Sequence, residues 1–252
     1  METVYIPEKY RILSGADLKK IAVVTMFIDH AAKGILYYGI LWPNRPFGKN
    51  TGLYSLYQFY RILRMVGRTA FPIYCFFLVQ GFLYTRSRSR YALRLFIFAL
   101  ISEIPFDLAL ENKLNAPGHQ NVNFTLLLGL IMLCAIEWIG DRLKDHPVPA
   151  VLLQAAVVVL LFQAAYLTRR DYRHRGLMII LAFYLLRFFQ PLACAGAAVA
   201  AYWEWPAVLP SFFLLLLYSG ERGKQNKYFF YIFYPAHLLL IWLIRLVILR
   251  FT

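Results

Sequence analysis

Six apolar segments of about twenty residues run through this chain: Leu18–Leu41, Met65–Tyr84, Tyr91–Leu110, Val122–Gly140, Val148–Leu167 and Tyr228–Leu249. About twenty apolar residues in a helix cross the roughly 30 Å hydrocarbon core of a bilayer. In lipid every backbone amide must be bonded within the protein, which leaves only helices or closed barrels. A spanning strand needs about ten residues, so segments of this length are helices. The stretch Gly176–Ser219 is equally apolar, but Pro191, Pro206 and Pro210 cut it into pieces of about a dozen residues. It holds two kinked helices or three short ones. The expected fold is an all-α, polytopic integral membrane helix bundle of eight or nine spans. No repeat or low-complexity linker divides it, so residues 1–252 are expected to form a single domain.

Composition excludes the main alternatives. Hydrophobic residues make up 60% of the chain and charged residues 16%, against roughly 45–50% and 25% in soluble domains. There is too little polar surface to cover a soluble globule, and too much apolar content for disorder. The 27 Lys+Arg against 13 Asp+Glu leave a net charge of +14. Those charges sit between the apolar segments, at Lys9 to Lys20, Arg86 to Arg94, Arg169 to Arg175 and Arg222 to Lys227. That is the pattern of topogenic loops, with no basic face for nucleic acid. Cys75, Cys134 and Cys194 lie inside apolar runs and read as small buried hydrophobes. Asp29 and His30 within the first segment argue for a retained span rather than a cleavable leader.

Loop charge orients the spans. Lys9, Arg11, Lys19 and Lys20 favour a cytoplasmic N-terminus, and Arg86, Arg88, Arg90 and Arg94 return to that side two spans later. Arg169, Arg170, Arg173 and Arg175 break the alternation: either one span is miscounted or these arginines bind something.

An ionised side chain at mid-bilayer costs roughly 2.5–3.5 kcal/mol on insertion scales, so such residues face protein or water and are functional candidates. Here they are Asp29, His30, Arg68, Gln80, Glu103, Asp107, Glu137, Arg187, His237 and Arg245. His30 lies about a dozen residues into its segment, roughly 18 Å along the helix axis and near the bilayer centre. Neutral imidazole can take a proton from a nucleophile and return it later; a core histidine bonded to a carbonyl is the equal alternative. Asp29 is displaced by about 100° round the helix and is poorly placed to hold the neighbouring ring. An orienting carboxylate is expected from another helix, with Glu103 and Asp107, four apart on one face, as candidates. Structural pairing with arginines is the competing account of both.

Arg61, Arg64 and Arg68 share one helix face and suit a multiply charged anion, while lipid-interface snorkelling or an ion pair to Asp29 or Glu103 would also explain them. Asn121 opens the fourth span, where it caps the helix or meets a substrate. His237 follows Pro235 in the last span as part of a hinge or a site. No metal-ligand spacing, phosphate-cradling glycine loop or GxSxG motif is present.

Several blocks together resemble the TraX family, named for a conjugation protein that acetylates the N-terminus of pilin. They are Leu18-Lys19-Lys20-Ile21-Ala22, Met26-Phe27-Ile28-Asp29-His30, Arg64-Met65-Val66-Gly67-Arg68-Thr69-Ala70-Phe71-Pro72-Ile73 and Tyr91-Ala92-Leu93-Arg94-Leu95. They continue through Ser102-Glu103-Ile104-Pro105-Phe106-Asp107, Gln120-Asn121-Val122-Asn123-Phe124-Thr125-Leu126 and Phe230-Tyr231-Ile232-Phe233-Tyr234-Pro235-Ala236-His237-Leu238. The chain is also similar to the wider transmembrane acyltransferase (acyltransferase-three-like) group. That group has a basic residue, ten residues and then His in its first span, matched by Lys19 and His30. Its Arg-x-x-Arg is matched by Arg61-Ile62-Leu63-Arg64.

The resemblance implies an acyl-CoA-dependent O- or N-acyltransferase with acetyl-CoA as donor. It would move an acyl group to a glycan or protein acceptor outside the cytoplasm. By the same token His30 is the expected catalytic residue, and Lys19, Arg61 and Arg64 would hold the donor. Their positions within the spans add Asp29, Glu103 and Asp107 to the expected catalytic group, Arg68 to the donor site, and Asn121 and His237 as contacts of the acceptor. Membrane lipid is the third partner, and no metal or nucleic acid is implied. Arg61 and Arg64 at the start of the second span would fall on the outer side, away from cytosolic CoA, unless part of Tyr37–Tyr60 is re-entrant or the coenzyme threads the bilayer. A proton-coupled transporter or flippase would use similar residues but commonly carries internal repeats, and a non-catalytic scaffold would leave the buried charges unexplained.

The charge pattern generates one topology test. With the native cysteines removed, Arg88→Cys should resist membrane-impermeant thiol reagents added to intact cells and react once the cytoplasmic face is opened. Labelling from outside would reverse the orientation.

Overall fold

The computed structural model describes residues 3–47, 49, 51–116, 118–167 and 172–251. Arg169 and Arg170 of the discordant basic cluster lie outside the described residues. Among those described, ten α-helices account for nearly all regular structure: α1 Gly15–Ala31, α2 Tyr54–Gly67, α3 Ala70–Tyr84, α4 Arg88–Phe106, α5 Val122–Arg142, α6 Pro147–Leu167, α7 Arg173–Leu185, α8 Gln190–Ala200, α9 Leu209–Leu216 and α10 Lys227–Phe251. Two isolated bridges, Val4 with Phe189 and Leu13 with Tyr218, are the strand-like contacts. The protein is all-helical.

Among the described residues four helical stretches are long and apolar enough to cross a membrane: Tyr54–Tyr84, Val122–Arg142, Pro147–Leu167 and Tyr228–Phe251. The first joins α2 and α3, so the second apolar span begins at Tyr54, eleven residues before the Met65 expected from hydropathy. Tyrosines, Gln58 and Arg61 had masked that turn. In the Pro147–Leu167 window only 11% of residues are buried, so α6 presents nearly its whole circumference to lipid. The proline-cut stretch Gly176–Ser219 resolves into three short helices, α7, α8 and α9.

The chain divides into two compact units, each assembled from separated segments. One comprises Met1–Tyr5, Cys75–Leu100 and Pro117–Ala201. In it α5 packs on α6 and α7, and α7 packs on α8. Leu130, Leu133, Leu177, Ile180 and Phe183 form the core. Glu137 is held there by Arg88 at 2.9 Å and by the Tyr184 hydroxyl at 3.0 Å. Asn121 caps α5 by accepting the Asn123 amide at 3.0 Å, while its own side-chain amide donates to the Ala99 carbonyl at 2.9 Å. Both ends of that side chain serve structure.

The other unit comprises Ile6–Tyr74, Ile101–Ala116 and Tyr202–Thr252 and contains α1, α2, α9 and α10. Helix α1 starts at a reciprocal cap: the Asp17 amide donates to the Ser14 hydroxyl, and the Ser14 amide donates to the Asp17 carboxylate. The Ser14 hydroxyl, donating at 2.6 Å, and then Lys20 hold the Asp17 carboxyl below its usual range. Beyond Ala31 the helix widens into π-helical turns over Ala32–Leu41. Helix α4 ends the same way over Asp107–Glu111, just past Pro105, which removes one backbone donor.

Helices α1 and α10 run parallel at an almost constant offset. Lys19 meets Gln225, His30 meets His237 and Gly34 meets Ile241, partners 206 or 207 residues apart. Their starting ends are clamped by backbone bonds: the Leu13 amide donates to Leu217 at 2.9 Å, Ser219 to Leu13 at 2.8 Å and Gly15 to Glu221 at 2.8 Å. Gly34 permits the close approach farther along, since a methyl group there would collide with Ile241. Arg245, only 1% exposed, donates to the carbonyls of Leu108 and Ala109 and so caps the end of α4. A cation there meets the negative end of the helix dipole.

Candidate active site

The parallel register brings two histidines edge to edge. His30 on α1 and His237 on α10 have ring centroids 5.1 Å apart and planes 8° from parallel. His30 Nδ1 lies 2.8 Å from His237 Nε2. His237 Nδ1 lies 2.7 Å from the carbonyl oxygen of Phe233, one turn earlier in α10. A carbonyl can only accept, so His237 Nδ1 carries the hydrogen, and in the neutral ring Nε2 is then an acceptor. His30 Nδ1 must therefore donate, which leaves the lone pair of His30 on Nε2. Phe233 stacks on His237 at 4.6 Å and Tyr234 meets both histidines edge-on, so the rings are packed in place as well as bonded.

Around this pair stand three cation–carboxylate pairs. Arg64 on α2 donates to Asp29 at 2.6 Å, Lys33 to Glu111 at 2.7 Å, and Arg68 lies 3.4 Å from Glu204. Arg64, Lys33 and Arg68 all act electrostatically on the His30 ring. Pairing is what makes these charges tolerable away from water. Gly67 sits against Asp29, and a methyl group there would strike the carboxylate. That glycine lets α2 approach α1 closely enough for Arg64 to reach.

The sequence-predicted residues are distributed unevenly. His30, His237, Asp29, Arg64 and Arg68 converge. The nitrogen of His30 expected to face an orienting carboxylate instead faces His237, a ring pairing that no helical spacing could show. The buried Asp107 accepts the Ala116 amide at 2.8 Å and shapes the turn after α4, while Glu103 lies half-buried on α4 in the same unit. Lys19 donates to Gln225 at 2.9 Å near the clamped end. Arg61 is exposed, 3.4 Å from Gln58. Asn121 belongs to the other unit, in its capping role. Lys33, Glu111 and Glu204 were not anticipated. Lys33, three residues after His30 and on the same helix face, carried a readable signal; Glu111 and Glu204 carried none.

A helical membrane protein with a hydrogen-bonded histidine pair, one ring buried and the other half-buried, beside paired charges is the class this geometry defines. The chain belongs to the TraX family, whose model, described as TraX protein, matches residues 14–245. It is 30% identical over 254 residues to a protein of Dichelobacter nodosus described as "Probable fimbrial assembly protein FimC, serogroup H1", covering 90% of this chain and 94% of that one. No solved structure matches.

The Asp29–Arg64 pair generates a prediction. Removing one partner strands a largely buried charge, so Asp29→Asn or Arg64→Gln alone should each cost about 2–4 kcal/mol. The double variant should cost less than the sum, read as thermal unfolding in detergent. Additive losses would show that the pair carries no coupling.

Proposed function

We propose that this protein is a membrane-embedded acyltransferase. It moves an acetyl group from cytoplasmic acyl-CoA to a hydroxyl or amine on an acceptor beyond the membrane. The fimbrial relative favours a protein acceptor, a pilus or fimbrial subunit, over a surface glycan. The observation that carries this reading is the hydrogen-bond chain from His30 through His237 to the Phe233 carbonyl. A carbonyl oxygen does not take up a proton at neutral pH, so the chain ends there. The pair can hold a proton on His30 and give it back, but it has no onward site to conduct one. That supports acid–base chemistry over a proton-coupled transporter.

Acyl-CoA enters from the end where α1 and α10 are clamped together. Lys19 lies there, with Arg222 in the adjoining loop, and their charge suits the donor's phosphates. From Lys19 to His30 is eleven residues, roughly 16 Å of helix, which an extended pantetheine arm can cover. The thioester then lies beside His30 and Arg64. His30 Nε2 takes the proton of the acceptor hydroxyl or amine as that group attacks the thioester carbonyl. The C–S bond breaks, and the proton held on His30 passes to the departing CoA thiolate. Arg64, fixed by Asp29, stabilises the charge that develops on the carbonyl oxygen, while Arg68 and exposed Arg61 extend the positive lining of α2. Glu103 and Asp107 remain candidates for steadying the charge of the site.

The parallel register also bears on topology. The first and last spans run in the same direction, which supports an odd number of crossings. The basic end of α1 faces the cytoplasm of an inner-membrane protein, and the Arg250 end of α10 faces outward. Ile248→Cys in a cysteine-free background should therefore react with impermeant reagents added to intact cells, and protection there would break the odd count.

Transfer is tested with purified protein, labelled acetyl-CoA and a fimbrial-subunit peptide, scoring CoA release and peptide labelling. His30→Ala should lose about 10²–10⁴-fold in rate, the usual worth of a general base, while still binding CoA. A folded His30→Ala protein transferring at the wild-type rate would refute the mechanism. Proton flux through liposomes carrying the wild type would move the weight to transport.

A further inference from the structure

Two independent features single out His237. Its Nδ1 is anchored at 2.7 Å to a carbonyl of its own helix, and its ring is stacked on Phe233 with planes 9° from parallel. A histidine serving as an acceptor contact would need a nitrogen to offer, yet both of its nitrogens are engaged within the protein, at Phe233 and at His30. Burial adds to this, with 4% of the residue exposed. What the ring presents to the site is one fixed lone pair aimed at His30.

We infer that His237 is a positioning residue, which holds His30 in the Nδ1–H form so that Nε2 is the nitrogen that exchanges protons with the substrates. This rests on the transfer reading above and adds to it the group that sets the base. The reasoning is geometric. Imidazole in water prefers to carry its hydrogen on Nε2, and in that form the lone pair of His30 would point at His237 rather than at a reacting hydroxyl or amine. An acceptor at 2.8 Å from Nδ1 reverses the preference and fixes the ring plane. When His30 takes up the substrate's proton, the same bond is retained with His30 as a charged donor, which makes it shorter and stronger. Elsewhere this service falls to a carboxylate, which would add a net negative charge. Here a neutral imidazole performs it among carboxylates already paired with Arg64, Lys33 and Arg68. The anchor has a local cause. The Phe233 carbonyl lies one helical turn before His237 and has a second lone pair that the His237 side chain can reach.

The test uses full-length protein in detergent or nanodiscs with ¹⁵N-labelled histidine. In the wild type the ¹⁵N shifts of His30, assigned by their loss in His30→Ala, should report Nδ1–H with an unprotonated Nε2. In His237→Phe, which keeps a stacked ring but offers no acceptor, the hydrogen should move to Nε2. Acetyl transfer in that variant should fall about 10²–10⁴-fold in kcat with KM for acetyl-CoA unchanged. His237→Gln can donate to Phe233 and accept from His30, and it should restore the Nδ1–H form and at least about a tenth of the rate. An Nε2–H form of His30 in the wild type overturns the inference, whatever the variants do. So does His237→Phe with wild-type shifts and wild-type kcat. Because the shifts are read without turnover, absence of acetyl transfer in the wild type would refute the transfer reading and leave the tautomer result standing on its own.

Discussion

The parallel register between α1 and α10 is the constraint on which the rest of the site depends. An offset of 207 residues aligns His30 with His237 and Gly34 with Ile241. A slip of one residue would turn each of these by about 100° away from its partner. Three devices hold the register. The backbone clamp between residues 13–15 and 217–221 fixes one end. Gly34 permits contact in the middle, where any larger side chain would meet Ile241. Arg245 locks α10 to the end of α4, using a helix terminus as its counter-charge.

Around that axis the unit solves an electrostatic problem. It places Arg64, Lys33 and Arg68 beside His30, a histidine that the proposed transfer would charge transiently. Unpaired, those cations would oppose that charge, and in lipid each would be expensive. Each is instead matched by a carboxylate from a different segment: Asp29 from α1, Glu111 from the end of α4 and Glu204 from the turn before α9. The pairs tie four segments together. Such pairs add little net stability over apolar packing but are costly to break. They therefore specify one arrangement of helices more than they strengthen it.

The TraX family and the similarity to a fimbrial assembly protein place the chain among its relatives, while the proposed transfer reading rests on the histidine chain. That chain ends on a backbone carbonyl, which accepts a hydrogen bond and passes no proton on. Lys19 stands roughly 16 Å along the helix from His30, apart from the arginines of α2. With the second span starting at Tyr54, Arg64 lies well inside the helical stretch at the level of Asp29, rather than at its outer edge.

Much of this was legible in the residues alone, because insertion into lipid is governed by local quantities. Segment length and hydropathy determined that the chain is a helical membrane protein. The cost of a buried charge marked Asp29, His30, Arg68 and His237 as residues needing a reason, and the helix face shared with Arg61 and Arg68 drew in Arg64. Proline spacing led to the short helices α7 to α9. The i, i+3 and i+4 rules, however, relate residues on one helix only. They could not say that His30 would meet His237 across 207 positions, that Lys33 would find Glu111, or that Asn121 would serve its own helix cap and α4 instead of the histidines. Those partners depend on helix register and approach distance. They are set by packing at Gly34 and Gly67 and by the clamp at Leu13, contacts between residues far apart in sequence that form only once the helices are in place.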